Sequence, residues 1–193
     1  MTPMTTTLRA GDAIENPVTG EHVLFHATSA ETDGELVDIE VTVRPGGGVA
    51  THMHPYQSEY FEILDGTMEF RQGRRIVAGP GEIVMVEPGT PHSFRNVGAG
   101  DARFRAEVRP ALAFERFLQT MFALAAEGKT NRKGMPNPLR LAVIARAHFD
   151  DVRMPYVPAV MQRAALATGA AAGQVVGYGP TYERAPELAP VYA

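Results

Sequence analysis

The chain contains no cysteine among its 193 residues. Disulfide bonds, thiolate metal sites and cysteine nucleophiles are therefore excluded. Lysine is nearly absent as well, because Lys129 and Lys133 are the only lysines among the 18 basic residues. The formal net charge is −4 and no block of basic residues occurs. We therefore expect neither a nucleic acid nor an anionic membrane as a partner.

Long apolar runs are also missing from the sequence. The first nine residues lack the apolar core of a signal peptide, and no later stretch is long enough to span a bilayer. A cytoplasmic location is therefore the expectation. Hydrophobic residues make up 45% of the chain, which is ample for a folded core. The length predicts one domain with an appendage.

Alternation of apolar and polar residues dominates the first two thirds of the chain. Residues 37–43, 68–71 and 103–109 each alternate with a period of two, which is typical of half-buried strands. Segments rich in glycine and proline separate such runs, as at 45–48 and 98–100. Short strands at this spacing predict a mainly β sandwich or barrel.

Three histidines and a glutamate suggest a metal site within these strands. His52 and His54 are two residues apart, so on a strand both imidazoles point to one face. Glu59 and His92 follow and would complete the set from neighbouring strands. Neutral imidazole and carboxylate suit Fe, Zn, Mn, Ni and Cu alike. We therefore predict one divalent metal ion, whose identity this ligand set does not select.

Glycines at fixed distances from these four residues make the pattern more specific. Gly46 precedes His52 by six residues and Gly66 follows Glu59 by seven, while Gly81, Gly89 and Asn96 frame His92. Together the two blocks resemble the cupin motifs G-x5-HxH-x4-E-x6-G and G-x5-P-x-G-x2-H-x3-N over roughly residues 35–110. One position departs from the second motif, because Glu87 stands where proline is usual and Pro88 follows it.

The resemblance implies a cupin double-stranded β-helix, or jelly-roll barrel, to which the pattern after Arg109 adds a C-terminal helical extension. It also implies a metal-dependent enzyme, first of all an oxygenase acting on a small aromatic or enolic substrate. Similar cupins include quercetinase-like and diketone-dioxygenase-like enzymes. Polyketide-cyclase-like members suggest a redox-neutral cyclase or isomerase as an alternative, and a small-molecule binding protein without turnover is another. Similar cupins are commonly dimers, so we expect a homodimer.

Residues near the four candidate ligands are candidates for substrate contact. Glu59, the only anionic ligand of the set, is also the candidate catalytic residue, since a carboxylate can accept a proton. Strand alternation places Phe61 on the face of Glu59, and Phe94 on the face of His92. Tyr56 and Gln57 lie in the turn between ligands. Core packing or a solvated turn is the alternative for each of these four residues.

Two further histidines are expected to play no part in metal binding. His22 and His26 lie in a β-like run, where residues four apart share a face. Their separation along a strand is about 13 Å, which one ion cannot bridge. We interpret both as ordinary strand residues.

After Arg109 the apolar period changes from two to 3.6, which predicts helices. We divide the chain into a barrel with an N-terminal arm at 1–109 and a helical extension packed on it at 110–193. One helix is predicted from Pro110 to Gly128, a second from Asn137 through Phe149, and a third from Pro158 to about Gly169.

The role of the extension is left open between a lid, core packing and a dimer contact. A DNA-binding helix-turn-helix is disfavoured by the apolar second helix and the acidic charge. The extension contains one histidine, His148, and we expect no acidic residue of its helices to form a spaced pair with it. If the helices cap the pocket, we therefore expect them to govern substrate access, not metal retention.

Overall fold

A computed structural model describes residues 7–182 and the backbone of the two-residue strand at 187–188. Within this part of the chain, ten strands precede three helices and a short final strand follows. Their bounds are β1 (Asp12–Asn16), β2 (Glu21–Ala27), β3 (Val37–Val43), β4 (Gly48–His52), β5 (Ser58–Asp65), β6 (Met68–Gln72), β7 (Arg74–Ala78), β8 (Ile83–Val86), β9 (His92–Asn96), β10 (Ala102–Arg109), α1 (Phe114–Ala126), α2 (Pro138–Ala147), α3 (Ala159–Val175) and β11 (Glu187–Leu188).

The strands form two antiparallel sheets that enclose the core. One sheet has the order β11-β1-β2-β3-β10-β5-β8 and the other the order β4-β9-β6-β7. Neighbours along the sequence are often not neighbours in a sheet, so the chain crosses repeatedly between the two layers. Alternate residues of β3 and β10 are buried, as the period of two predicts. The mainly β jelly-roll with C-terminal helices is thus confirmed.

Four phenylalanines fill the space between the sheets. The ring of Phe61 on β5 lies 5.1 Å from that of Phe70 and 5.6 Å from that of Phe104. The ring of Phe94 on β9 lies 5.3 Å from that of Phe104. These centroid distances and the tilted planes are favourable for aromatic pairs. The cluster joins the strands that carry Glu59 and His92, and so fixes where those side chains stand.

Glycine at Gly66 allows one of the tight connections of the barrel. Its φ is +78°, and a Cβ atom there would stand 2.7 Å from the backbone of Ala102. Both the left-handed conformation and the close approach favour a residue without a side chain. The motif glycine after Glu59 is therefore required by the turn from β5 to β6.

The helices depart from the sequence-based bounds at several ends. α1 begins at Phe114, four residues after Pro110, and ends at Ala126. α2 begins as predicted, with the Asn137 side chain accepting a hydrogen bond from the backbone N–H of Arg140. It ends at Ala147, so Phe149 lies beyond it.

The third helix is longer than predicted, because two glycines serve packing instead of ending it. α3 continues to Val175. A Cβ atom on Gly169 would stand 2.9 Å from the Ala142 Cβ atom, and one on Gly173 would stand 2.6 Å from the Leu139 carbonyl oxygen. The glycines therefore let α3 approach α2 closely.

The segment after Arg109 is not purely helical. α1 packs on β1, α2 packs on α3, and β11 pairs with β1 as an edge strand of the larger sheet. The division at residue 109 stays a prediction. In residues 7–182, no helix combines the length and apolar character that a bilayer span requires.

Glu21, at the start of β2, is a buried carboxyl that should make stability depend on pH. Burial raises the pKa of Glu21 to about 7, and the nearby Thr19 hydroxyl lowers it only in part. Because the carboxyl pKa is higher in the folded protein than its ordinary value of 4.5, ionisation of Glu21 disfavours folding. The protein is free of this cost below about pH 4.5 and loses stability as pH rises through about 7. Glu21→Gln should therefore be more stable than the unsubstituted protein by about 2–3 kcal/mol at pH 8.

Denaturant unfolding of both proteins between pH 5 and pH 8 checks this expectation. The difference in the free energy of unfolding should shrink towards zero at the acid end. A difference that stays constant over the range would contradict it.

Candidate metal centre

The four residues singled out by the motifs meet at one end of the barrel. His52 ends β4, Glu59 lies on β5 and His92 begins β9, where it pairs with His52 across the sheet. His54 lies just past the end of β4, not within a strand as its spacing predicts. One ligand atom from each of the four lies within 4.8 Å of the others. His54, Glu59 and His92 are buried, and His52 is partly exposed.

Backbone carbonyls fix the orientation of all three imidazoles. Nδ1 of His52 donates to the Ala50 carbonyl at 2.9 Å, and Nδ1 of His92 donates to the Thr90 carbonyl at 2.9 Å. Nδ1 of His54 donates to the carbonyl of Asp151 at 2.5 Å. A carbonyl can only accept, so each Nδ1 carries the proton. Each Nε2 lone pair is then free for a cation, the arrangement typical of metal-binding histidines.

The distances inside the cluster fit a bound cation. Nε2 of His52 and Nε2 of His54 are 3.1 Å apart. Two nitrogens at about 2.0–2.1 Å from one ion stand roughly 2.9–3.4 Å apart for angles between octahedral and tetrahedral. Without a proton or cation between them, two lone pairs at this distance would repel.

The surroundings of the Glu59 carboxylate also favour a bound cation. Its Oε2 atom lies 2.7 Å from Nε2 of His92, and its Oε1 atom lies 3.6 Å from Nε2 of His54. With the His92 proton on Nδ1, the buried Oε2 atom has no hydrogen-bond donor. An unsatisfied buried carboxylate oxygen is costly, and a cation at this position would satisfy it.

Burial and the charges of the cluster shift the pKa values of three of its four residues. Burial alone would raise the pKa of Glu59, but attraction to His54 and His92 in their protonated forms outweighs it and lowers that pKa to about 2. Burial, reinforced by the other two imidazoles, lowers the pKa of His52 to about 3. Burial would also lower the pKa of His92, yet a protonated His92 could donate to Glu59 from Nε2, and this bond and the charge of Glu59 raise it. Near neutral pH, Glu59 is anionic and His52 is neutral.

The comparisons with known proteins cover this same part of the chain. Residues 39–108, which include all four residues of the cluster, match the family model of the cupin domain. These residues form a cupin domain. The match includes the strands from β3 to β10, apart from the first two residues of β3 and the last residue of β10.

Quercetin 2,3-dioxygenase of Bacillus subtilis (strain 168) is a relative of the cupin domain. It is 29% identical to the chain over 96 residues, which are 49% of this chain and 28% of the relative. The match thus spans less than a third of that enzyme.

Two solved structures are also similar. The RmlC-like cupin of Shewanella frigidimarina NCIMB 400 is 16% identical, with a TM-score of 0.47 over 56% of this chain and 93% of its own. The polyketide cyclase RemF of Streptomyces resistomycificus is 23% identical, with a TM-score of 0.43 over 53% of this chain and 70% of its own.

The four residues predicted to contact a substrate lie in different environments of the cupin domain. Tyr56 is 55% exposed, and the Arg153 guanidinium lies 5.5 Å from the centre of its ring. Gln57 is buried and its amide N–H groups donate to the carbonyls of Pro110 and Ala111. Its side chain therefore ties the barrel to the start of the extension.

The two predicted aromatic contacts lie deeper in the barrel. Phe61 is 2% exposed within the phenylalanine cluster, whereas Phe94 is partly buried at its edge. Phe61 thus packs in the barrel core and Gln57 bonds the start of the extension, and substrate contact by any of the four residues stays a prediction.

The remaining motif residues and histidines have structural roles. Asn96 donates to the carbonyls of Val43 and Gly100 and accepts from the backbone N–H of Gly98, so it shapes the turn after β9. His22 and His26 are exposed on β2 and do not belong to the group of four candidate ligands.

Sequence reasoning missed two residues that reach the site from the extension. Asp151 supplies the carbonyl that binds His54, and Nδ1 of His148 lies 3.0 Å from a carboxylate oxygen of Asp151. The expectation that no acidic residue forms a spaced pair with His148 was therefore wrong. His148 and Asp151 are three residues apart, and the turn after α2 brings them together. This spacing was the signal available in the sequence.

Proposed function

We propose that the chain is a metal-dependent cupin oxygenase acting on a small aromatic or enolic substrate. The observation that carries the proposal is the convergence of three Nε2 lone pairs on an anionic, buried Glu59. His52, His54, Glu59 and His92 would hold one divalent ion. When bound, a redox-active ion of this kind supplies a binding position for a substrate oxygen and the activation of dioxygen.

The residues around the ligands support an aromatic or enolic substrate. Glu59 is anionic near neutral pH, so it is able to accept a hydrogen bond from a substrate hydroxyl. Phe94 and Phe114 place apolar surface near the cluster, and the Phe114 ring lies 5.8 Å from that of His54. Apolar walls with a few polar groups are typical of small-molecule sites. The similarity to quercetin 2,3-dioxygenase, which extends along 49% of the chain, supports oxygen chemistry in particular.

Oxygen uptake with a panel of flavonols and β-diketones tests the proposal. The protein is loaded separately with Fe, Mn, Ni, Cu and Zn, and dioxygen and substrate are followed together. We expect one dioxygen consumed per substrate with at least one redox-active metal, and none with the His52→Ala/His54→Ala protein. Product formed without oxygen uptake would instead indicate a cyclase or isomerase. Tight binding of the panel without turnover would indicate a binding protein.

Metal affinity should depend on pH through His92. Because the pKa of His92 is raised above its usual value, protons compete for its Nε2 atom from neutral pH downwards. The pKa of His52, about 3, keeps that ring free for metal throughout this range. We expect Zn²⁺ affinity to fall about tenfold per pH unit below the pKa of His92, since one proton is displaced per ion. Competition titrations from pH 7 to pH 5 measure this, and a flat affinity would exclude histidine ligation.

We also propose that the chain forms a homodimer. Exposed apolar residues of α3 support this, because Val160, Met161 and Val175 are 79%, 63% and 89% exposed there. Burial of such apolar surface against a second copy would stabilise association. Light scattering at micromolar concentration should give twice the chain mass of 20.9 kDa. A monomer mass would refute the proposal.

A further inference from the structure

One candidate ligand is oriented from outside the matched cupin domain. His52 and His92 each bond a carbonyl two residues earlier in their own segments. His54 instead bonds the carbonyl of Asp151, which lies 97 residues further along the chain. Of the three imidazoles, this one alone depends on the segment after β10 for its orientation.

Asp151 is itself held rigidly by two helix ends. Its side chain is buried, and one carboxylate oxygen accepts a hydrogen bond from the backbone N–H of Ala113, at the start of α1, at 2.8 Å. The other oxygen lies 3.0 Å from Nδ1 of buried His148, at the end of α2. Both carboxylate oxygens therefore have donors. The position of the Asp151 carbonyl follows from these two anchors.

A short backbone bridge holds the same segment against the barrel. Met53, between the two ligand histidines, and Arg153 exchange N–H to carbonyl hydrogen bonds of 3.1 and 2.9 Å. The guanidinium of Arg153 donates to the carbonyl of Phe149 and to the carboxylate of Asp150. The turn after α2 and the end of β4 thus form one hydrogen-bonded unit.

We propose that Asp151 and His148 are positioning residues of the metal centre, which makes the helical extension part of the apparatus that retains the metal. The inference rests on the proposed function, because it assumes that His54 is a ligand. The Asp151 carbonyl keeps the His54 proton on Nδ1 and turns Nε2 towards Glu59. If the anchors of Asp151 are lost, the ring is free to rotate or to move its proton to Nε2, where it would block the lone pair. The extension then governs metal retention, not substrate access alone.

Zinc affinity of the full chain, measured by competition with a chelator, tests this role. Asp151→Ala removes both anchors and should weaken Zn²⁺ binding by about 10–100-fold, as is usual for groups that orient metal ligands. In Asp151→Asn, the side-chain oxygen can still accept a hydrogen bond from the backbone N–H of Ala113. The amide N–H can donate to Nδ1 of His148 if the His148 proton moves from Nδ1 to Nε2. This variant should therefore stay within about threefold of the unsubstituted protein.

A matched control separates positioning from general destabilisation. Val143→Ala truncates a buried residue of α2 on the side of α3, and should lower the free energy of unfolding without changing zinc affinity. Zinc affinities of Asp151→Ala and Val143→Ala that both lie within about twofold of the unsubstituted protein would overturn the inference.

A second measurement needs neither a variant nor a metal. Long-range ¹H–¹⁵N NMR of the metal-free protein reports which nitrogen of His54 carries the proton. We expect the proton on Nδ1, as the hydrogen bond to the Asp151 carbonyl requires. A proton on Nε2 of His54 would overturn the inference even if zinc binds. If the protein binds no zinc yet His54 has its proton on Nδ1, the proposed function fails while the hydrogen bond to Asp151 stands.

Discussion

Replacing His52 and His54 together with alanine is expected to abolish binding of divalent metal. The double substitution removes two of the three Nε2 atoms that converge on Glu59. A single imidazole and one carboxylate would remain, and these do not hold a divalent ion in competition with water and chelators. Isothermal titration with Zn²⁺ should give one site per chain in the unsubstituted protein and no measurable heat of binding in the double variant.

The matched control is His22→Ala with His26→Ala. This variant removes the same number of histidines from exposed positions on β2, where the two rings stand too far apart to share an ion. It should bind zinc with unchanged stoichiometry and affinity. Full metal occupancy in the His52→Ala/His54→Ala protein would show that the ion lies elsewhere.

Replacing Phe122 with alanine should destabilise the protein by about 3–5 kcal/mol, the usual cost of deleting a buried aromatic ring. Phe122 is 4% exposed and belongs to the same core cluster as the barrel phenylalanines. The apolar side of α1 therefore continues the barrel core. Denaturant unfolding measures the loss, and zinc affinity below the unfolding transition should stay unchanged because Phe122 belongs to the hydrophobic core and not to the four candidate ligands.

Two further substitutions calibrate this result. Arg116→Ala on the exposed side of the same helix, α1, should change the free energy of unfolding by less than about 0.5 kcal/mol. Phe117→Ala should cost less than Phe122→Ala, because Phe117 is only partly buried and lies against the ring of His148. A loss below about 1 kcal/mol for Phe122→Ala would show that α1 is not core and would favour a lid.

The sequence contained enough information to predict the barrel and the four clustered residues. Alternation of polarity identified strands such as β3 and β10, since the side-chain period of a strand is fixed. The histidine and glycine spacings identified residues that different strands bring together, because the motifs encode turns as well as ligands. Gly66 is an example, where a positive φ and a close approach to Ala102 leave no room for a side chain.

Long-range contacts were beyond this kind of reasoning. Nothing local links His54 to Asp151, because their hydrogen bond depends on where the turn after α2 docks on the barrel. The length of α3 was missed for a related reason. Gly169 looked like a helix end, yet its lack of a side chain is used for close packing on Ala142. Tertiary contacts decide whether a glycine ends a helix or packs within it, because they override local helix propensity.

X-ray absorption spectroscopy of the zinc-loaded protein tests the central claim most directly, because it reports the atoms bound to the ion. With one ion per chain, the account predicts three imidazole nitrogens and at least one carboxylate oxygen around the metal. The imidazole signal should be lost in the His52→Ala/His54→Ala protein. An oxygen-only environment, or an unchanged imidazole signal in that variant, would contradict the assignment of His52, His54, Glu59 and His92 as the metal centre.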